Sequence, residues 1–267
     1  MAATKKEETL PAVKSSTAVD LPPELLAMMA EDAGDGISTD PEDNLVPLIY
    51  VLQAQSPQCN KRSPDYVENA CAGAIWLRNS GRPAIDGDTG IIFQPCSFSK
   101  DYVEWIPRAK GGGFVERHET IPADAKKVPD LVNPNKTRTV RDNGNEIVEV
   151  RYHVGFVLLD GMALPYVIPM SGASHSVSRS WMTNMSQKPG PGGKPLPSYA
   201  NLYRLRTRER TNAAGTWSQW EVFDAGPVTT AEDYLRGRSL AQAFASGERR
   251  AEKAEPEGEV AHENAAM

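Results

Sequence analysis

The chain of 267 residues has only four histidines and three cysteines, and no apolar run long enough to cross a bilayer. Its longest apolar stretches, such as residues 154–159, fall far short of the roughly 18 residues a spanning helix needs, so no transmembrane segment is expected. No apolar run of signal-peptide length follows Met1-Ala2-Ala3-Thr4-Lys5-Lys6-Glu7-Glu8, which points to the cytoplasm of the producing cell. Cys59, Cys71 and Cys96 are odd in number and lack CxxC spacing. They announce neither a disulfide framework nor a zinc knuckle, and read as buried or idle thiols.

Catalytic signatures are equally sparse. His118, His153, His175 and His262 show no HExxH or paired metal spacing, and each reads as structural or solvent-facing. Gly111-Gly112-Gly113 follows a basic cluster but is neither GxGxxG nor a Walker A loop. Ser174-His175 lacks the context of a nucleophile elbow. Asp130 with Glu149-Val150-Arg151 distantly resembles a nuclease carboxylate pair, but Arg151 holds its proton and cannot act as a base. No catalytic residue, metal or cofactor is assigned, and a binding protein is expected rather than an enzyme.

What is present is ordinary globular composition, 40% hydrophobic and 24% charged, in a chain long enough to bury a core without staples. The net charge of −6 is unevenly spread. Residues 1–45 hold three basic and ten acidic groups, and residues 248–267 three basic and six acidic, so the body between them is +4. Acidic ends beside a mildly basic body can compete with a polyanion for the same surface, or can serve solubility alone.

The pattern divides the chain into an acidic arm (1–44), a β-rich body (45–247) and an acidic tail (248–267). In the arm, residues 21–29 form a short apolar island in which proline precedes Leu25, Leu26, Met28 and Met29, enough for a few helical turns acting as a docking peptide or frayed arm. In the body, short apolar runs at 73–77, 90–98, 102–107 and 113–116 alternate with Gly, Pro, Asn and Asp and read as strands. Asn143-Gly144 marks a hairpin between 136–141 and 146–159, and Asp160-Gly161 a second leading into 163–169. Val177, Trp181, Met182 and Met185 recur at helical spacing. The stretch 187–195, rich in Pro and Gly, is expected to be an exposed, mobile loop. A last hairpin pairs 199–210 with 216–223, and Thr230 opens a helix through Leu235, Leu240 and Phe244. The fold class is therefore mainly β, an antiparallel OB-like barrel or sheet with one or two packed helices.

The most informative segment is Leu202-Tyr203-Arg204-Leu205-Arg206-Thr207-Arg208-Glu209-Arg210. In a strand, Arg204, Arg206, Arg208 and Arg210 project from one face, making a positive stripe, with Tyr203 on the other. Across the turn, Trp217, Trp220 or both lie beside the stripe, depending on register. Cations beside aromatic faces are the working parts of a single-strand binding groove. The same pattern also describes an edge strand guarded by charge with a tryptophan in the core. Arg179, Lys188 and Lys194 add charge nearby, so residues 174–212 carry seven cations against Glu209 alone. Trp105, in the aromatic segment 100–114, is a further stacking candidate or a core residue, and Tyr203 is counted with the stripe and the tryptophans among the expected nucleic-acid-binding residues.

Residues 45–57, the Tyr102-Val103-Glu104-Trp105-Ile106-Pro107-Arg108 block with Gly111-Gly112-Gly113, and Ser178-Arg179-Ser180-Trp181 together resemble bacteriophage early-region proteins. These are similar in turn to phage single-stranded DNA-binding proteins with an OB-like barrel and an acidic tail. The likeness covers about residues 45–225, and the chain departs from it in ending Glu263-Asn264-Ala265-Ala266-Met267 rather than on an aromatic residue. The resemblance implies sequence-independent binding of single-stranded DNA in phage replication or recombination, in the cytoplasm of the host cell. Implied partners are single-stranded DNA and replication or recombination proteins reached through the acidic tail; no membrane is involved, and self-association is left open. The alternative is a protein–protein module that inhibits a host defence or replication enzyme, its acidic ends mimicking nucleic acid.

Overall fold

The computed structural model describes residues 22–32, 45–130, 137–212 and 215–253. Much of the expected acidic arm, the chain after Lys253 with His262, and residues 213–214 of the last hairpin turn lie outside them. The chain divides into two units, Met1–Asp40 and Pro41–Met267. In the first, α1 (Pro23–Glu31) starts with proline inside the first turn, where a missing N–H costs nothing, and exposes Leu25, Met28 and Met29.

The second unit opens with the short strands β1 (Leu45–Val46), β2 (Ile49–Val51) and β3 (Ile75–Leu77). It continues with β4 (Ile91–Trp105), β5 (Phe114–His118), β6 (Lys126–Pro129), β7 (Thr137–Val140), β8 (Glu146–Leu159) and β9 (Met162–Met170). Helix α2 (His175–Ser186) precedes the long hairpin of β10 (Asn201–Asn212) and β11 (Gly215–Pro227), and α3 (Ala231–Ser246) and β12 (Arg250–Ala251) complete the body.

The spine is the antiparallel pair β4–β8, rich in the β-branched and aromatic residues that suit a pleated surface. One end of β4 carries β10 and then β11, and the other carries β5; β8 is flanked by β9 at one end and by β7 and β6 at the other. The expected separate strands at 90–98 and 102–107 are thus one strand. Its continuity is interrupted by a bulge at Cys96, between Pro95 and Ser97. Across from it Gly155 allows a close approach: a Cβ there would lie 2.1 Å from the Gln94 carbonyl oxygen. The mainly antiparallel β class with few helices is as expected, and the pairing runs from β11 to β6 without joining those two among the described residues.

Each face of the sheet carries a core over part of its area. One packs Phe93, Tyr203, Leu205, Trp220 and Ile168 against the β2–β3 pair and the apolar stripe of α2, Trp181 and Met185. The other packs Tyr152, Val154, Phe156, Trp105 and Val103 with Leu240 of α3. The α3 start is capped as expected, with the Thr230 hydroxyl accepting from the Asp233 N–H at 3.1 Å.

One expected loop proves locally ordered, and one expected boundary is corrected. The segment 187–195 is a largely exposed loop, as expected, but it is closed locally: Pro189 and Pro195 form an isolated antiparallel bridge, the Gly190 N–H donates to the Lys194 carbonyl, and positive φ at Gly192 and Gly193 makes the turn possible. At the other boundary, the body reaches past residue 248, because β12 lies parallel to β1 and the Glu252 N–H donates to the Val46 carbonyl. Arg78–Glu252 and Lys253–Asp101 ion pairs fasten the same segment. Sequence pattern misses it because two residues paired with a strand some 200 positions away carry no periodicity.

Candidate functional site

The alternation in β10 is borne out in detail. Tyr203, Leu205 and Thr207 are buried, whereas Arg204, Arg206, Arg208 and Arg210 are exposed. The register across the hairpin sets Phe223 opposite Arg204, Glu221 opposite Arg206 and Trp217 opposite Arg210, while Trp220 lies opposite Thr207 on the core side. Trp217 is therefore the tryptophan on the arginine side, half-buried, and Trp220 is 3% exposed in the core. A base cannot stack on a ring enclosed on both faces, so Tyr203 and Trp220 are supports of the stripe rather than platforms. Trp105 is likewise in the core, at 9% exposure with Phe114 edge-on against it.

A groove of about 490 Å³ opens on this face, lined by Ile92, Leu202, Arg204, Arg206, Phe223, Asp224 and Ala225. Its position follows from the sheet. Ile92 and Gln94 alternate onto one face; Gln94 is sealed, its amide donating to the Tyr199 and Asp233 carbonyls at the start of α3, and the face stays open from Ile92 outward. Ile92 is opposite Arg204, and Arg204 opposite Phe223, so the three form one row across β4, β10 and β11. Phe223 is 46% exposed, and the Arg206 guanidinium lies 5.9 Å from its ring centroid.

The turn before β4 helps hold Arg204. Asp86 accepts from the Thr89 N–H and hydroxyl, and Gly90, at φ +70°, brings that turn against β10, where a Cβ would meet the Leu205 carbonyl oxygen at 2.2 Å. Arg204 then donates to the Thr89 carbonyl at 3.3 Å. Among the described residues, Arg204, Arg206 and Arg210 have no carboxylate within ion-pair distance; Arg208 pairs with Glu221 at 3.1 Å. The stripe thus keeps most of its charge unneutralised.

The supporting cations are dispersed in role. Lys188 is tied to Asp224 by an ion pair and lies over the Tyr203 ring, so it braces the groove edge. That contact, with the Gly226 N–H, holds the Asp224 carboxyl below its ordinary range, while burial pushes the Tyr203 hydroxyl up to about 12. Lys194 is exposed on the bridged loop, and Arg179 is exposed on α2. Neither lines the groove. The residues sequence reasoning passed over are Phe223, Ile92 and Asp224. A signal for Phe223 existed: it lies six positions from Trp217, hence on the same face of a strand.

A second polar centre stands at the other end of β4. Glu104, 1% exposed, accepts from Asn145 at 2.6 Å, Arg141 at 2.7 Å, His118 at 2.9 Å and Asn143 at 3.2 Å. Burial alone would raise its pKa, but these hydrogen bonds prevail and hold it at about 2. Glu104, Glu116 and His118 place three potential ligand atoms within 4.8 Å of one another, yet the Arg141 guanidinium already occupies the Glu104 carboxylate as its cation. The cluster therefore braces the Asp142-Asn143-Gly144-Asn145 turn. His153 is buried between Phe98 and Trp181, with Ser178 at 2.8 Å, and burial holds it down at about 3, as a neutral core group. Glu149 is engaged by Arg151 and His175, which leaves the nuclease-like pattern without a free carboxylate there.

Among the described residues no helix is long and apolar enough to cross a membrane. No curated protein and no solved structure matches the chain. A family model does match, over residues 14–250, which takes in the whole sheet and the arginine hairpin: the chain belongs to the Pam3 phage gp34-like protein family.

Proposed function

We propose that this phage-family protein binds single-stranded DNA along the β10–β11 face, serving phage replication or recombination without a fixed recognition sequence. The observation that carries the reading is the open row Ile92, Arg204, Phe223, with Arg206, which has no carboxylate partner among the described residues, beside it. A guanidinium without a carboxylate partner is free to meet a phosphate, and an exposed ring next to it can take a base. Duplex DNA keeps its bases stacked on one another and offers no free base face to Phe223. Single strands are therefore favoured. Arg208, Arg210 and Trp217 extend the track toward the hairpin tip, and Lys194 and Arg179 supply longer-range attraction.

The test is fluorescence anisotropy with a mixed-sequence single strand and its duplex at two salt concentrations. Tighter binding of the single strand, weakening by a slope of about −0.7 per phosphate contact as salt rises, is the expected result. Absence of binding at low salt rejects the reading and moves weight to a protein–protein module. For that second reading the supporting observation is α1, whose Leu25, Met28 and Met29 are exposed within an acidic segment.

A further inference from the structure

In a groove for a polyanion, Asp224 is the group out of place. Every other charged residue lining it is an arginine, and a carboxylate there repels phosphate. Its position is built rather than incidental. The register of the hairpin shifts between Leu202 and Tyr203, directly beside it, and such bulges re-aim side chains. One carboxylate oxygen accepts from the Gly226 N–H at 2.9 Å, the other from Lys188, and Lys188 is itself held over Tyr203. An ionised carboxylate has about four acceptor positions, so roughly two remain free at the rim of the groove. They can take only donors.

Resting on the single-strand reading above, we propose that Asp224 selects the base seated next to Phe223, favouring guanine and disfavouring thymine. Guanine presents its N1–H and N2 amino group side by side, a match for the two free positions of one carboxylate. Cytosine and adenine offer a single amino group each. Thymine offers N3–H between two carbonyl oxygens, which face the carboxylate unfavourably. The sugar-phosphate on either side still meets Arg204 and Arg206 whatever the base, so selection acts on top of general binding.

The protein as it stands can be tested with oligothymidylates of about 12 nucleotides, a length within the site sizes of such grooves, carrying separated guanines or hypoxanthines in place of some thymines. Hypoxanthine keeps the ring and N1–H of guanine and lacks the amino group. Guanine-bearing strands should bind about tenfold more tightly than hypoxanthine-bearing ones, the size of one good bidentate base contact. Asp224→Asn, checked for an unchanged melting temperature, should abolish that difference, bringing the guanine-to-hypoxanthine affinity ratio to about one. Equal affinity of the parent protein for guanine and hypoxanthine strands overturns the assignment while leaving strand binding intact. Failure to bind any of the strands overturns both.

Discussion

Arginines stand at both ends of the β4 spine, in opposite circumstances. Where β4 meets β5, Arg141 bridges Glu104 and Asp124, His118 joins in, and the charges close on one another around a turn. Where β4 meets β10, Arg204 reaches a backbone carbonyl, Arg206 lies on a phenyl ring, and Arg210 has no carboxylate partner among the described residues. The first arrangement satisfies a buried carboxylate and leaves nothing for a ligand. The second leaves cations that have no carboxylate partner among the described residues. Counting basic residues, as a charge profile does, cannot separate the two; only the location of the carboxylates does.

The largest effect expected from this contrast lies in the aromatics under and on the arginine face. Trp220→Ala empties a core position packed with Tyr203 and Leu205, and should lower stability by about 3–5 kcal/mol in denaturant unfolding. Phe223→Ala, three strand positions from Trp220 but exposed, should change stability little and weaken single-strand binding by about 1–3 kcal/mol. If both variants lose stability alike, Phe223 is a core residue and the groove has no platform.

Next in size is the closed centre. Because Glu104 titrates at about 2 in the fold against an ordinary 4.5, the stability it contributes is fully present above about pH 4.5 and is lost as pH falls toward 2. Glu104→Ala should cost roughly 1–3 kcal/mol at neutral pH by leaving Asn143, Asn145 and His118 without their acceptor while Arg141 keeps Asp124, and should flatten the acid limb of the stability profile. Strand binding at neutral pH should be untouched, since the two centres share no side chain. A Glu104 variant with the parent's acid profile would show that the network contributes nothing.

Much of this was legible beforehand, for reasons particular to each element. Strict alternation from Leu202 to Arg210 states which face is charged whatever the strand pairs with, and Asn143-Gly144 states where a hairpin turns. The partner of each arginine was not legible, because register depends on how the hairpin is closed, and a shift by one residue exchanges Trp217 for Trp220 on the arginine face. Trp105 and Tyr203 misled for a related reason: aromatic type records a large apolar surface without saying which side of the sheet it faces. The Glu104 centre could have been suspected from the paired amides of Asn143 and Asn145, but Glu104 is nearly forty residues away, and only the β4–β8 register joins them.

A smaller effect on binding is expected from the open end. Arg204→Gln with Arg206→Gln should leave the melting temperature near the parent's, since exposed groups without ion-pair partners contribute little to stability. Their loss should weaken binding by a similar factor on every base and reduce the salt slope by about 0.7 for each phosphate contact removed. This uniformity distinguishes them from Asp224→Asn, whose effect depends on the base. Parent-like affinity and slope in the double variant would make the stripe a guard on an exposed hairpin.

The smallest effect concerns where the body ends. Truncation after Gly247 removes β12, with its contacts to β1, and both the Arg78–Glu252 and Lys253–Asp101 pairs, whereas truncation after Lys253 keeps them all. Two backbone pairings and half-exposed ion pairs are individually modest, so the shorter chain should lose about 1–2 kcal/mol relative to the longer one in urea unfolding. Both truncations remove four glutamates, Glu255, Glu257, Glu259 and Glu263, from the protein's charge, and both should bind single strands at least as well as the full chain at low salt. The comparison is informative because it holds that charge change constant: a stability difference between the two chains reports β12 and its ion pairs. Equal unfolding midpoints would place the end of the cooperative unit before residue 248, with β12 lying against a body that does not depend on it.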